Sequence, residues 1–120
     1  QLKPTNIYDG ATRFRRGMYI PGSYQCLSFH KKKILSIGKG GMILTDDLEA
    51  YNWFKVARYE GRHTDVPYDE DTFDMIGWNM YMPPEQAAYG IEMFESLPDF
   101  NEDCGSSRKY KDLSVFPIFK

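Results

Sequence analysis

Two short apolar runs folded about a glycine turn constrain this chain more than any other feature. Cys26, Leu27 and Phe29 form the first run. Lys31, Lys32 and Lys33 interrupt it, the chain turns at Gly38-Lys39-Gly40-Gly41, and Met42, Ile43 and Leu44 form the second run. Runs of this length around a glycine cluster predict two strands of one sheet or hairpin. A lysine at the end of a buried strand is an amine held in a fixed place. Partial burial there would lower its pKa and free the lone pair to attack a carbonyl. Strand alternation predicts Lys31 and Lys33 on one face and Lys32 on the other. The plainer reading of the three lysines is a charged edge that stops the strand from pairing further.

The rest of the chain alternates between strand, helix and loop signals. Ile7-Tyr8-Asp9 followed by Gly10-Ala11 reads as a short strand ending in an acid, with a simple Asp-Gly turn as the alternative. Residues 13–22 form a basic loop. It is either a solvated connector or a positive rim suited to a diphosphate. Thr45 or Asp46 caps a helix running to about Tyr59, with Leu48, Tyr51, Phe54 and Ala57 facing the sheet and Gly61 beyond its end. Residues 64–76 hold four Asp and one Glu but lack the glycine and glutamate positions of a calcium loop. They read as a solvated loop, and His63 beside them receives no role. Pro83-Pro84 opens a second helix whose apolar face is Ala87, Ala88, Ile91, Met93, Phe94 and Leu97, broken by Pro98. A weaker helix is expected over 101–113, and the apolar tail from Val115 to Lys120 reads as a strand without its partners.

Composition excludes several function classes. With 120 residues the chain holds one domain at most, and its net charge of −2 gives no reason to expect nucleic acid. No apolar stretch approaches membrane-spanning length and no signal peptide is visible. Cys26 and Cys104 lie far apart without metal-ligand spacing, so no metal site is expected and a reducing cytoplasm fits better than secretion.

Two blocks of residues resemble the DegT/DnrJ/StrS family of sugar aminotransferases. The first is Ser28-Phe29-His30, Lys33, the Gly38–Gly41 turn and Thr45-Asp46. The second is Gly77-Trp78-Asn79-Met80-Tyr81-Met82, then Gln86-Ala87-Ala88 and Gly90. Arg58-Tyr59-Glu60-Gly61-Arg62 between them is similar to the family's Arg-x-x-Gly-Arg. The resemblance implies an α/β fold, part of the fold-type-I aminotransferase large domain, with a mixed, mostly parallel sheet and flanking helices. Residues 1–120 would be an internal piece of that domain, without its N-terminal part and the C-terminal small domain, leaving apolar surface exposed. It implies pyridoxal 5'-phosphate (PLP) as cofactor. Lys33 would condense with its aldehyde and then carry protons, Ser28 would bind its phosphate, and Asp9 would hold its pyridine nitrogen. Asn79 would reach the phosphate of a neighbouring subunit, which implies a homodimer with shared sites.

The implied reaction converts a keto group on a nucleotide-linked sugar to an amine, with glutamate as donor. It belongs to cytoplasmic synthesis of surface polysaccharide, such as lipopolysaccharide, or of secondary-metabolite sugars. This piece alone is expected to be inactive. The chain departs from the family pattern at Lys39 (usually Glu), Tyr81 (often Arg) and Thr12 (often Gln or His). The gap from Asp9 to Lys33 is also short. Two alternatives stand beside the aminotransferase. One is a non-catalytic phosphate- or nucleotide-binding module built on the lysines and the glycine turn. The other is a deoxysugar dehydratase relative, which would carry His in place of Lys33.

Overall fold

The computed structural model describes residues 1–105 and 111–119. Three strands form one sheet in the order β1 (Ile7–Asp9), β2 (Tyr24–Ser28), β3 (Gly41–Leu44). β1 and β2 are parallel, with Asp9 opposite Cys26. β2 and β3 are antiparallel, with Ser28 opposite Gly41. The sheet is therefore mixed, with one pairing of each kind rather than the mostly parallel arrangement expected. Two helices follow, α1 (Leu48–Ala57) and α2 (Pro84–Glu95).

The predicted pair of strands around the glycine turn is present, but β2 stops at Ser28. Residues 29–40 form a looser extension held by Phe29 N–H to Gly40 O (2.9 Å), Ile37 N–H to Phe29 O (3.1 Å) and Lys31 N–H to Gly38 O (3.1 Å). Lys31–Lys33 lie in a turn closed by Lys33 N–H to His30 O at 2.8 Å. The expected alternation of lysines across a strand is thus absent. The driving reason is the core. Leu27, Phe29, Leu35 and Ile37 are buried together, and Phe14, Met18, Leu44, Met82, Met93 and Leu97 pack around them. Bringing Leu35 and Ile37 back onto Phe29 requires the chain to curl through the lysines.

α1 begins one residue later than expected. Asp47 is the cap, accepting Ala50 N–H at 3.0 Å, while Asp46 and Thr45 precede it. Of its predicted inner face, Ala57 is buried and Phe54 half-buried, whereas Leu48 and Tyr51 are exposed. α2 starts where Pro83-Pro84 places it, and the helix stops before Pro98. Gly90 is its buried residue, because a Cβ there would meet Ile37 Cδ1 at 3.3 Å. Ala88, Ile91 and Phe94 are exposed, contrary to the predicted apolar face.

The basic loop is a structural strap. Phe14 stands edge-on to both Phe29 (6.3 Å) and Phe94 (5.9 Å). Arg13 and Arg15 pair with Asp103, and Arg16 with Asp99. Arg16 N–H bonds Asp99 O, Cys104 N–H bonds Thr12 O, and Asn101 Nδ2 donates to Phe14 O. The segment 99–104 is consequently extended along the loop, not the start of a helix. Residues 106–110 of the expected helix lie outside the described residues. The tail forms two 3₁₀ turns, Leu113–Val115 and Pro117–Phe119, instead of a strand. Asp112 caps the first, and Pro117 has no N–H to give a sheet neighbour.

Several large apolar side chains are exposed. Ile76, Met80 and Leu48 are 83%, 71% and 70% exposed. The radius of gyration is 17.1 Å, against about 13.6 Å for a compact domain of this length.

Candidate functional site

Parallel pairing gives β1 and β2 a common carboxyl edge. β1 ends at Asp9 and β2 ends at Ser28. The register puts Asp9 beside Cys26 and on the same face as Ser28 two residues on. Strand spacing and rise place their Cα atoms about 8 Å apart. Lys33 follows in the turn that leaves β2. It is half-buried while Lys31 and Lys32 are exposed. A carboxylate and a hydroxyl therefore share the carboxyl end of a parallel pair, the edge where α/β sheets bind ligands, and the amine of Lys33 follows five residues after the hydroxyl in sequence.

Each group keeps bonding capacity. Asp9 Oδ1 accepts Ala11 N–H at 2.9 Å, the local turn allowed for above, and Oδ2 has no partner among the described residues. Among the described residues, Ser28 Oγ accepts only a long contact from His30 N–H, 3.4 Å. No described carboxylate pairs with Lys33. The three side chains do not touch one another by hydrogen bond or ion pair. A cavity of about 190 Å³ next to Asp9 is lined by Tyr8, Thr12, Arg13, Gln25 and Asp103, and does not include Ser28 or Lys33.

The second block supports the first directly. Gln86 Nε2 donates to Ile37 O (3.1 Å) and Lys39 O (2.8 Å), so α2 holds the glycine turn by its main chain. Lys39 contributes its carbonyl here, which any side chain at that position would leave available. Asp46 and Asp47 anchor the other side. Asp46 accepts from Tyr19 O–H (2.8 Å) and Gly22 N–H, and these bonds hold its carboxyl below the usual range. Asp47 accepts Ala50 N–H and Tyr24 O–H (2.6 Å), with the same result. The Thr45-Asp46 end of the motif is thus a clasp on the loop before β2.

Asn79 makes no hydrogen bond to Asp9, Ser28 or Lys33. It sits in an antiparallel bridge with Tyr59, just beyond α1. Trp78 N–H bonds Ala57 O (2.7 Å), Met80 N–H bonds Arg58 O (2.9 Å) and Glu60 N–H bonds Trp78 O (3.1 Å). Gly61 and Gly77 cross at backbone contact, since a Cβ on Gly77 would lie 1.9 Å from Gly61 N. Asn79 Nδ2 donates to Glu60 Oε1 at 2.7 Å. Sequence reading passes over Glu60. The available signal was an acid near the negative end of a helix dipole, where a cation is the favoured choice.

His63 also gains partners that its sequence context does not show. Its Nδ1 lies 2.8 Å from Asp71 Oδ1, its N–H donates to Asp71 Oδ2, and its Nε2 lies 3.9 Å from Asp74. The hydrogen bond with Asp71 raises the imidazole pKa, and the His63 bond brings the Asp71 carboxyl down to about 2.

Comparison with known proteins decides the family. The sequence profile of the DegT/DnrJ/EryC1/StrS aminotransferase family matches residues 16–109. The chain belongs to this family. Ser28, Lys33 and Asn79 lie inside the matched segment, and Asp9 lies before it. The chain is also 30% identical over 87 residues to GDP-perosamine synthase of Escherichia coli O157:H7, an alignment covering 71% of this chain and 23% of that protein. The matched region thus spans about a quarter of that relative. No solved structure matches the chain significantly. Among the described residues, no helix of this family member is long and apolar enough to cross a membrane.

Proposed function

We propose that this chain is part of the PLP-binding large domain of an aminotransferase that converts a keto group on a nucleotide-linked sugar to an amine. The observation that supports the reading is the parallel pairing of β1 and β2, which end at Asp9 and Ser28 on one face, with Lys33 five residues beyond Ser28 in the chain. Family membership supports the reaction class, and the name of the relative, GDP-perosamine synthase, supports a nucleotide-linked sugar as substrate. Glutamate as amino donor, a cytoplasmic setting, a homodimer and a role in surface polysaccharide synthesis belong to the same proposal. The exposed amide of Asn79, which makes no hydrogen bond to Lys33, leaves it available for a role toward a neighbouring subunit.

The free valences at this edge fit the cofactor. Asp9 Oδ2 is available to accept a ring N–H, Ser28 O–H to donate to a phosphate oxygen, and Lys33 Nζ to meet an aldehyde. When bound, PLP supplies an electron sink for proton removal at the amine-bearing carbon. Asp9 would hold the ring nitrogen, its negative charge favouring the protonated ring. Ser28 would bind the phosphate. Lys33 would hold the aldehyde end and, as a free amine, would serve as the base that moves the proton. Its turn, closed by His30 O and backed by the buried Leu35 and Ile37, limits how far that amine can swing.

The test is direct. PLP added to the chain is expected to give a visible absorbance band that borohydride bleaches, leaving the cofactor mass on the peptide containing Lys33. Lys33→Ala abolishes the adduct. Binding of PLP and other phosphate compounds with no band and no adduct would favour the non-catalytic binding module.

A further inference from the structure

α1 ends at Ala57, with Arg58 as its cap, and Glu60 then takes a left-handed conformation at φ 62°. A non-glycine residue is uncommon there, and an acid is poorly matched to the helix's negative end. Two unfavourable choices at one position call for a compensating role. The contacts supply it. Glu60 N–H donates to Trp78 O, the Tyr59–Asn79 bridge lies alongside, and Glu60 Oε1 accepts from Asn79 Nδ2 at 2.7 Å. The Gly61–Gly77 crossing removes slack from both segments.

We infer that Glu60 is a positioning residue that aims Asn79 at an anionic ligand. The inference rests on the reading above, in which Asn79 meets the cofactor phosphate of a neighbouring subunit. Glu60 takes one N–H of the Asn79 amide. The second N–H and Oδ1 have no partner among the described residues, and Asn79 is exposed. With one hydrogen committed, rotation of the amide is restrained, which favours one direction for its remaining N–H. The Glu60 carboxylate also brings negative charge near the phosphate. Orientation is gained at some loss of attraction.

Four variants of the full chain separate these roles: Asn79→Ala, Glu60→Ala, Glu60→Gln and the double alanine variant. The probes are PLP and pyridoxal, which lacks the phosphate. Asn79→Ala is expected to weaken PLP about tenfold or more, the scale of a hydrogen bond to a charged group, and to leave pyridoxal unchanged. Glu60→Ala weakens PLP several-fold, and the double variant is no weaker than Asn79→Ala alone. Glu60→Gln keeps the acceptor, removes the charge, and binds PLP at least as tightly as the parent. Equal losses of PLP and pyridoxal on Glu60→Ala would show a merely structural role and overturn the inference. A loss on Asn79→Ala with none on Glu60→Ala refutes Glu60 alone. No change on Asn79→Ala refutes the phosphate role and the inference with it. Should Glu60→Ala unfold, the Asn79 side-chain amide resonances of the parent and Glu60→Gln decide. Slow hydrogen exchange is expected in both, and a freely exchanging amide in the parent overturns the inference.

Discussion

Gly77→Ala tests the joint that carries Asn79. A Cβ at this position would lie 1.9 Å from Gly61 N and 2.6 Å from Glu60 C and Gly61 Cα. All three obstacles are backbone, so no rotamer change can relieve them. The segments 57–61 and 75–80 must separate or strain. Separation breaks Trp78 N–H to Ala57 O, Met80 N–H to Arg58 O and Glu60 N–H to Trp78 O. At about 0.5–1.5 kcal/mol net per bond, their loss costs about 2–4 kcal/mol. Strain from overpacking is of the same order, about 1–3 kcal/mol. Hydrogen exchange at the Trp78 and Met80 amides reads the joint directly. A cost of 2–4 kcal/mol corresponds to roughly a 30- to 700-fold loss of protection. Gly105→Ala is the control, because a Cβ there meets nothing within 4 Å. A Gly77→Ala protein with protection within threefold of the parent would refute the interlocked joint.

Three further outcomes follow from particular contacts. Gln86→Ala loses two bonds to the glycine turn and is expected to cost about 1–3 kcal/mol in urea unfolding, with Gln86→Glu no substitute because both partners are carbonyls. Asp47→Ala removes the cap of α1, so Ala50 amide exchange should rise roughly fivefold, and Asp47→Asn should restore most of the protection. The His63–Asp71 pair gives a pH window. The raised His63 pKa adds stability that is full below the usual 6.5 and is lost as pH rises through the folded value. The lowered Asp71 pKa adds stability that is full above the usual 3.8 and is lost as pH falls toward about 2. The difference in thermal midpoint between the parent and Asp71→Asn should therefore be greatest between about pH 4 and 6.5 and shrink on both sides. A flat difference would contradict the pairing.

Local signals in the chain were strong where they depended on neighbours in sequence. Asp9-Gly10, Gly40-Gly41 and Pro83-Pro84 each mark a strand or helix boundary, because turn chemistry and proline geometry act over a few residues. The candidate site was legible for the same reason: Ser28 and Lys33 belong to one short run. Failures fell where long-range packing prevailed. The lysine turn departs from a strand because Leu35 and Ile37 must return to Phe29. The basic loop is a strap because Phe14 sits between Phe29 and Phe94 while Asp99 and Asp103 neutralise its arginines.

The chain alone determined its family and its two motif blocks, and it named the candidates for the amine, hydroxyl and carboxylate. These follow from residue types at fixed spacing. Only the tertiary structure decided that Asp9 and Ser28 share one edge, that Gln86 clamps the glycine turn, and that Glu60 holds Asn79. Those contacts join residues 19 to 49 positions apart, and no local pattern encodes which distant groups the sheet and the glycine crossing will bring within hydrogen-bond reach.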